Sequence, residues 1–193
     1  MASAYTKQLI RSFVTQYGGD IVEASANTGL FFPAVVAQLS VESANGTSGL
    51  AVRANNFGGI KGNASNGILT TTLEYDSKIP TKVYFKKYNS FRDFMSDYVN
   101  ILQQPRYVSA GVYAALTPEE QIRRIVEGGY ATATPDGYLD SGVADRIEAT
   151  QDIYSIGKIG NVSNAMADAG LVVQRPYGAV DPSSLWNMLS SQL

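Results

Sequence analysis

The chain has 193 residues, of which 45% are hydrophobic and 17% are charged, a composition typical of a globular protein rather than a disordered one. It contains neither Cys nor His, which excludes disulfides, Cys nucleophiles, Ser-His-Asp triads and the usual zinc ligands. The net charge is -2 and no run of Lys or Arg occurs, which argues against a nucleic-acid partner. An enzyme of this composition must use carboxylates, hydroxyls, Lys and Arg.

The N-terminal segment lacks an apolar core after a basic start, so we expect no secretory signal peptide. No apolar run approaches the length of a membrane span, so we also expect no transmembrane segment.

Helical spacing dominates the first 42 residues. Apolar residues predict a first helix over 9–17 and a short second helix over 21–26, with Gly18-Gly19 expected to separate the two. Pro33 suits the first turn of a third helix that runs to about Glu42.

The third helix places an acid among apolar residues. Val35, Val36, Leu39 and Glu42 follow helical spacing, so Glu42 is predicted to lie on the apolar face. A carboxyl group in such surroundings loses solvation, its pKa rises, and it can hold a proton near neutral pH. The alternative is a Glu at a helix end that reaches solvent.

Short turns and a hairpin follow this helix. Residues 43–46 have the composition of a turn, and 48–54 are predicted to form a short helix. Asn and Gly in the segment 55–59 favour positive φ values. β-branched and aromatic residues then predict a β-hairpin with strands near Ile68–Tyr75 and Thr81–Lys87.

The remaining part of the domain is predicted to be helical. The expected elements are a helix over 90–102 capped by Ser90, a helix over 117–127, a loop over 130–142 and a helix over 143–154. We therefore predict a mainly α (α+β) fold: a helical domain over 1–156 with one inserted hairpin. Residues 157–193 are interpreted as an appendage with a short terminal helix.

Four short stretches, in order, resemble one family. They are AQLSVESANG, LAVRANNFGGIKG, TTTLEYDSK with the following FKKYNSFRDFMSDYVNIL, and GGYAT. Together they resemble glycoside hydrolase family 73, bacterial and phage peptidoglycan hydrolases with a lysozyme-like fold. The resemblance covers about residues 5–155, and it implies a lysozyme-like domain that acts on the glycan strands of peptidoglycan.

The resemblance assigns roles to three residues. Glu42 matches the general acid of the family, Glu74 matches the second carboxylate on the hairpin, and Tyr130 matches a tyrosine that lines the active site. The chain departs from the family pattern at two places. Ala44-Asn45 stand where the family usually has Gly-Trp, and Gly58 stands where it has Phe. Both changes remove aromatic surface near the acid.

Hydrolysis of a glycosidic bond needs a proton donor and a second group that handles water or the developing positive charge. Glu42 is the predicted donor and Glu74 the predicted base, although Glu74 can also be a solvated strand carboxylate. Asp76 lies on the same strand face and is the substitute for Glu74. The N-acetyl group of the substrate is a third possibility. The separation of the two carboxyl groups would distinguish inversion from retention.

Further residues are candidates for the site. Asp76, Asn55, Asn56 and Lys61 are predicted to bind substrate, while Tyr130 is predicted to orient the N-acetyl group or stabilise charge. Four of them have a plainer alternative: the two Asn can hold the turn, Lys61 can be solvated, and Tyr130 can be a packed loop aromatic. No metal or organic cofactor is implied.

The resemblance implies an endo-β-N-acetylglucosaminidase that acts at the bacterial cell wall, in the periplasm or outside the cell. The alternatives are muramidase specificity and a non-catalytic wall-binding component of a phage or secretion apparatus. Without a signal peptide, we expect delivery by phage lysis, a virion or a secretion system. Residues 157–193, which include Trp186, are the candidate attachment to a carrier protein.

Overall fold

The structure is a computed structural model that describes residues 1–73 and 80–154. The predictions for Glu74, Asp76 and the appendage over 157–193 lie outside the described residues. The elements in chain order are α1 Ala4–Thr28, α2 Phe32–Glu42, α3 Gly49–Ala54, β1 Gly67–Leu73, β2 Pro80–Lys86, α4 Phe91–Leu102, α5 Pro105–Ser109, a 3₁₀ turn Val112–Ala114, α6 Pro118–Glu127, α7 Pro135–Tyr138, a π-helical turn Leu139–Val143 and α8 Ala144–Tyr154.

One long helix replaces the two helices predicted near the N-terminus. α1 continues through Gly18-Gly19, so the prediction of a break there was wrong. Val14 and Val22 are fully buried, and Gly18 lies buried between them on the same helical face. A Gly inside a helix costs about 1 kcal/mol relative to Ala, whereas burying one Val or Ile side chain contributes about 1.5–3 kcal/mol. Tertiary packing therefore outweighs the local preference, and the helix ends only at Gly29, where φ is 78°.

α2 is the central element of the domain. It packs against α1, α8 and α6, and every residue from Phe32 to Ser40 is buried. Pro33 lies in the first turn, as predicted. The helix is therefore surrounded by the core on all sides until its last turn. Glu42 is instead the residue at which the helix emerges from the core.

The predicted hairpin is confirmed, with strands that begin one residue earlier than expected. β1 and β2 are antiparallel, with Gly67 opposite Lys86, Thr70 opposite Val83 and Leu73 opposite Pro80. Lys61 adds an isolated bridge to Phe85, whose side chain is buried. The base of the hairpin is thereby attached to the segment that follows α3.

The helices after the hairpin mostly agree with the sequence. The hydroxyls of Ser90 and Thr117 cap α4 and α6 as predicted, each accepting a hydrogen bond from the backbone N–H three residues on. The predicted loop over 130–142 is wrong in its second half. There, Thr134 caps α7 and the chain continues through the π-helical turn, because Tyr138 and Leu139 are buried in the core.

The domain is therefore mainly helical with a small two-stranded sheet, as predicted. Within residues 1–73 and 80–154, no helix is both long and apolar enough to cross a membrane.

Candidate active site

Glu42 combines solvent access with a specific protein contact. It is the last residue of α2 and, unlike the buried residues before it, it is exposed. Its Oε1 atom accepts a hydrogen bond of 2.5 Å from the hydroxyl of Tyr138. One carboxyl oxygen is therefore bound by Tyr138, while the residue stays accessible to a substrate.

The surroundings of the carboxyl group raise the pKa of Glu42. Burial of the carboxyl is the larger effect and raises the pKa, whereas the hydrogen bond from Tyr138 lowers it. The direction agrees with the desolvation mechanism expected from the sequence. Two phenols outside α2, those of Tyr130 and Tyr138, are affected by the charge of Glu42. A raised pKa keeps a larger fraction of this acid protonated near neutral pH.

Tyr138 is held in place by the core. Only 6% of it is exposed, and the pKa of its phenol is raised by burial, by the charge of Glu42 and by the hydrogen bond to Glu42. The phenol therefore stays protonated and acts as the donor. Gln38 lies one turn before Glu42 on α2, and its Oε1 accepts a 2.6 Å hydrogen bond from Tyr98. The α2 face that ends at Glu42 thus contacts two tyrosines from distant elements.

Tyr130 is an electrostatic neighbour of Glu42 but does not bond to it. Burial and the charge of Glu42 both raise the pKa of Tyr130, and its ring meets that of Tyr98 edge-to-face at 6.4 Å. The Tyr130 hydroxyl donates a 3.0 Å hydrogen bond to the carbonyl oxygen of Gly58. A Cβ atom at position 58 would lie 2.5 Å from that hydroxyl. The absence of a side chain at Gly58 therefore makes room for Tyr130.

The two adjacent Asn residues organise the turn between α3 and the hairpin. Asn55 has a φ of 48° and donates a 3.0 Å hydrogen bond to the carbonyl of Tyr88. Asn56 Nδ2 donates to the carbonyls of Ile60 and Lys86, both at 2.9 Å, and its Oδ1 accepts from Ile60 N at 2.9 Å. Because Asn56 is only 1% exposed, we do not retain the prediction that it contacts sugar. A sugar contact of Asn55 stays a prediction.

The turn directly after Glu42 is strained. Ala44, Asn45 and Gly46 have φ values of 50°, 58° and 83°, a left-handed conformation that costs a residue with a side chain about 1–2 kcal/mol. Buried Ser43 holds the turn, because its hydroxyl donates to the carbonyl of Leu39 at 2.6 Å and accepts from Gly46 N at 2.8 Å.

A cavity of about 490 Å³ lies beside Tyr130. Gly58 and Tyr130 form part of its wall, and Lys61, Lys86 and Arg106 also line it. The sequence predicted that Lys61 binds substrate, and the structure places it exposed in this wall. Its contact with substrate stays a prediction. Among the described residues, no group of three His, Cys, Asp or Glu side chains is arranged to hold a metal ion.

Sequence reasoning missed Tyr138, although a signal was present. Thr134-Pro135 repeats the pattern of Thr117-Pro118, a capping Thr followed by Pro at the first helical position. Recognising that start would have placed a helix before Tyr138. It would not have shown that this helix meets the end of α2, 96 residues earlier in the chain.

Comparisons with known proteins agree with this fold. The Glucosaminidase family model, described as mannosyl-glycoprotein endo-beta-N-acetylglucosaminidase, matches residues 18–151. Peptidoglycan hydrolase FlgJ of Vibrio cholerae is 32% identical over 130 residues, which are 63% of this chain and 39% of FlgJ. Exo-glucosaminidase LytG of Bacillus subtilis is 27% identical over 148 residues, which are 70% of this chain and 48% of LytG. The chain thus spans less than half the length of these two curated relatives.

A comparison with a solved structure also supports this family and fold. The C-terminally truncated glycoside hydrolase domain of Salmonella typhimurium FlgJ aligns with a TM-score of 0.57 and 28% identity, covering 74% of this chain and 98% of that domain. The family match takes in Glu42, Tyr130 and Tyr138, and it spans more than half of the chain. This chain therefore belongs to the glucosaminidase family of lysozyme-like fold, glycoside hydrolase family 73.

Proposed function

We propose that this chain hydrolyses the β-1,4 glycan backbone of peptidoglycan as an endo-β-N-acetylglucosaminidase, with Glu42 as the general acid. The observation that carries the proposal is an accessible carboxyl group of raised pKa that a buried tyrosine holds at the end of a buried helix. Two relatives of this chain are named as a peptidoglycan hydrolase and a glucosaminidase, which supports this substrate and bond.

The proposed step begins with Glu42 protonated. Glu42 gives its proton to the glycosidic oxygen while the bond from the anomeric carbon to that oxygen breaks, and positive charge develops on the sugar ring. Glu42 is left as a carboxylate. The Tyr138 hydroxyl stabilises that carboxylate, because a hydrogen bond from a neutral donor favours the charged form. Burial and Tyr138 therefore serve opposite ends of the transfer: burial favours the protonated acid, and Tyr138 favours its conjugate base.

Tyr130 is proposed to orient the N-acetyl group of the substrate. Its hydroxyl hydrogen is already donated to the carbonyl of Gly58, so the oxygen is available as an acceptor. The N–H of an acetamido group is a suitable donor to that oxygen. This contact would position the N-acetyl group near Glu42.

The group that handles water or the developing positive charge is proposed to be Glu74. Asp76 is its substitute, and the N-acetyl group of the substrate is the third candidate. Glu74 directly follows the last residue of β1. Variants Glu74→Gln and Asp76→Asn, with the anomer of the first-formed product identified by NMR, separate these roles. A single inverted anomer that disappears in Glu74→Gln supports a base at Glu74. Full activity of both variants removes the two carboxylates from the mechanism.

The test of the proposed function is digestion of purified peptidoglycan, followed by reduction of the products and mass spectrometry. The wild type is expected to produce reduced N-acetylglucosamine ends, and Glu42→Gln is expected to produce none. Glu127→Gln is the matched control, because Glu127 is also an exposed Glu at the last position of a helix, and it should keep full activity. Reduced muramic acid ends would show muramidase specificity. Wall binding without any cleavage would show a non-catalytic wall-binding component.

Delivery is proposed to use a carrier that contacts residues 157–193. A deletion that ends near Gly157 tests this directly, because it leaves the family match intact. The proposal predicts that the shortened chain keeps its activity on purified wall but fails to reach the wall in cells. Unchanged delivery of the shortened chain would exclude attachment through this segment.

A further inference from the structure

The cavity beside Tyr130 is unusual in its charge. Among the described residues that line it, three side chains are cationic, Lys61, Lys86 and Arg106, and none is Asp or Glu. Asp97 lies outside the lining and bonds to Lys86 Nζ at 2.9 Å and to the Tyr88 hydroxyl at 2.6 Å. Asp97 therefore compensates Lys86, and Arg106 contributes a positive charge to the wall of the cavity.

Arg106 stacks on an aromatic ring and has no acidic partner among the described residues. Its guanidinium carbon lies 4.5 Å from the centroid of the Tyr107 ring, a cation–π contact. Its Nη1 atom lies 3.6 Å from the point that a Cβ of Gly129 would occupy, next to Tyr130 in the chain. In the described part of the chain, Arg106 forms no ion pair with Asp or Glu. Its planar fork of N–H donors is therefore available for a bidentate contact with a carboxylate.

The position of the cavity connects it to the site. Tyr130 forms part of its wall and is an electrostatic neighbour of Glu42. A volume of about 490 Å³ lies within the range of roughly 300–1,000 Å³ that is usual for small-molecule sites. A sugar substituent carrying a carboxylate fits both the size and the charge.

We infer that this cavity is a subsite for a carboxylate-bearing substituent of the glycan strand, with Arg106 as its main anion-binding group. The inference rests on the proposed function, since it names a feature of the same substrate. In peptidoglycan this carboxylate has two sources, the lactyl acid of a muramic sugar that carries no peptide and the acidic groups of a peptide that is joined to the lactyl group through an amide. A glycan without carboxylates would lack the group that the cavity binds.

Three soluble glycans with one backbone separate these sources. The first keeps its peptides, the second has been stripped by an amidase and exposes lactyl carboxylates, and the third is the stripped glycan with those carboxylates converted to methylamides. Arg106→Gln is expected to lower kcat/KM about 10-fold to 100-fold on a carboxylate-bearing glycan, mainly through KM. On the neutral glycan its effect should stay below about 2-fold. Arg106→Lys, which keeps the charge but not the fork, should show an intermediate loss.

The control variant is Arg11→Gln, because Arg11 is an exposed arginine on α1 that does not line the cavity. It should behave as the wild type on all three glycans. A loss in Arg106→Gln on the first glycan alone assigns the peptide as the source, a loss on the second alone assigns the lactyl acid, and a loss on both shows that the subsite accepts either carboxylate. Equal losses on all three glycans, or no loss on any, would overturn the subsite.

A binding measurement keeps this inference separate from the proposed function. In the Glu42→Gln background, calorimetry with the same three glycans reports affinity without turnover. Adding Arg106→Gln should weaken binding of a carboxylate-bearing glycan about 10-fold and leave the neutral glycan unchanged. If the wild type cleaves nothing but this difference in affinity is seen, the catalytic proposal fails and the subsite stands. If cleavage occurs and the affinities do not differ, the subsite fails and the catalytic proposal stands.

Discussion

Replacing Tyr138 with Phe tests the central contact of the site. The Tyr138 hydroxyl donates to Glu42 at 2.5 Å and lowers the pKa of that carboxyl, so its removal must raise the pKa further. A hydrogen bond to a charged group contributes about 1.5–3 kcal/mol, and one pKa unit corresponds to about 1.36 kcal/mol. Because Glu42 is exposed, solvent replaces part of the lost bond, and a shift of about one unit is expected.

The sign of this shift appears in the pH dependence of the reaction. A general acid works only while protonated, so kcat/KM falls as the pH rises through the pKa of Glu42. In Tyr138→Phe this basic limb should move about one unit to higher pH. The maximal rate should fall about 10-fold, because the carboxylate left after proton transfer has lost its donor.

The assay is kcat/KM on solubilised peptidoglycan, measured from about pH 4 to about pH 9. Tyr154→Phe is the matched control: Tyr154 is 4% exposed, and its hydroxyl has no hydrogen-bond partner within the described residues. That variant should keep the wild-type pH profile. A basic limb that stays in place or moves to lower pH in a folded Tyr138→Phe variant would refute the reasoning.

Three further predictions concern stability, each measured by thermal or denaturant unfolding. Burial raises the pKa of Glu42, so its contribution to stability is complete below the unfolded-state pKa and is lost as the pH rises through the folded-state pKa. Glu42→Gln should therefore raise Tm at about pH 7 and leave it unchanged at about pH 3.5, whereas an increase at both would contradict the linkage. Ala44→Gly should stabilise the fold by about 1 kcal/mol, or about 2–4 °C in Tm, because φ is 50° at this exposed position; a lower Tm would show that the turn is not strained. Asn56→Ala should destabilise the fold by about 3 kcal/mol, because three backbone groups lose their buried partner, and a loss below about 1 kcal/mol would show that water replaces the amide.

Burial and the Tyr138 hydrogen bond act on the pKa of Glu42 in opposite directions. An apolar pocket alone would keep the acid protonated but would leave its conjugate base without support. Burial against Tyr138 raises the pKa, and the hydroxyl of the same residue stabilises the carboxylate. Tyr130 adds a further phenol near the acid without competing for it, since its hydrogen is donated to Gly58.

Local signals in the chain were enough to predict most elements. Ser48, Ser90 and Thr117 each cap the helix that follows, because a hydroxyl beside free backbone N–H groups is a short-range interaction. The hairpin follows from β-branched and aromatic residues on either side of a connection, and the position of Glu42 on α2 follows from helical spacing with Val35 and Leu39. These predictions depend on residues a few positions apart.

The same local rules failed where distant packing decided the outcome. Gly18-Gly19 favours a helix end, yet both sides of the pair are anchored in one core, so α1 continues. The segment before Val143 has the composition of a loop, yet burial of Tyr138 and Leu139 keeps it helical. In both cases buried apolar area exceeded a local preference of about 1 kcal/mol.

The sequence by itself therefore determined the helical class and the inserted hairpin, and it pointed to Glu42 as the proposed acid, because periodicity, capping and motif spacing depend on residues close together in the chain. Only the tertiary structure decided what surrounds that acid. Tyr138 reaches Glu42 across 96 positions, and Tyr130 reaches Gly58 across 72. Such contacts depend on how whole elements pack on α2, and no local preference encodes that arrangement.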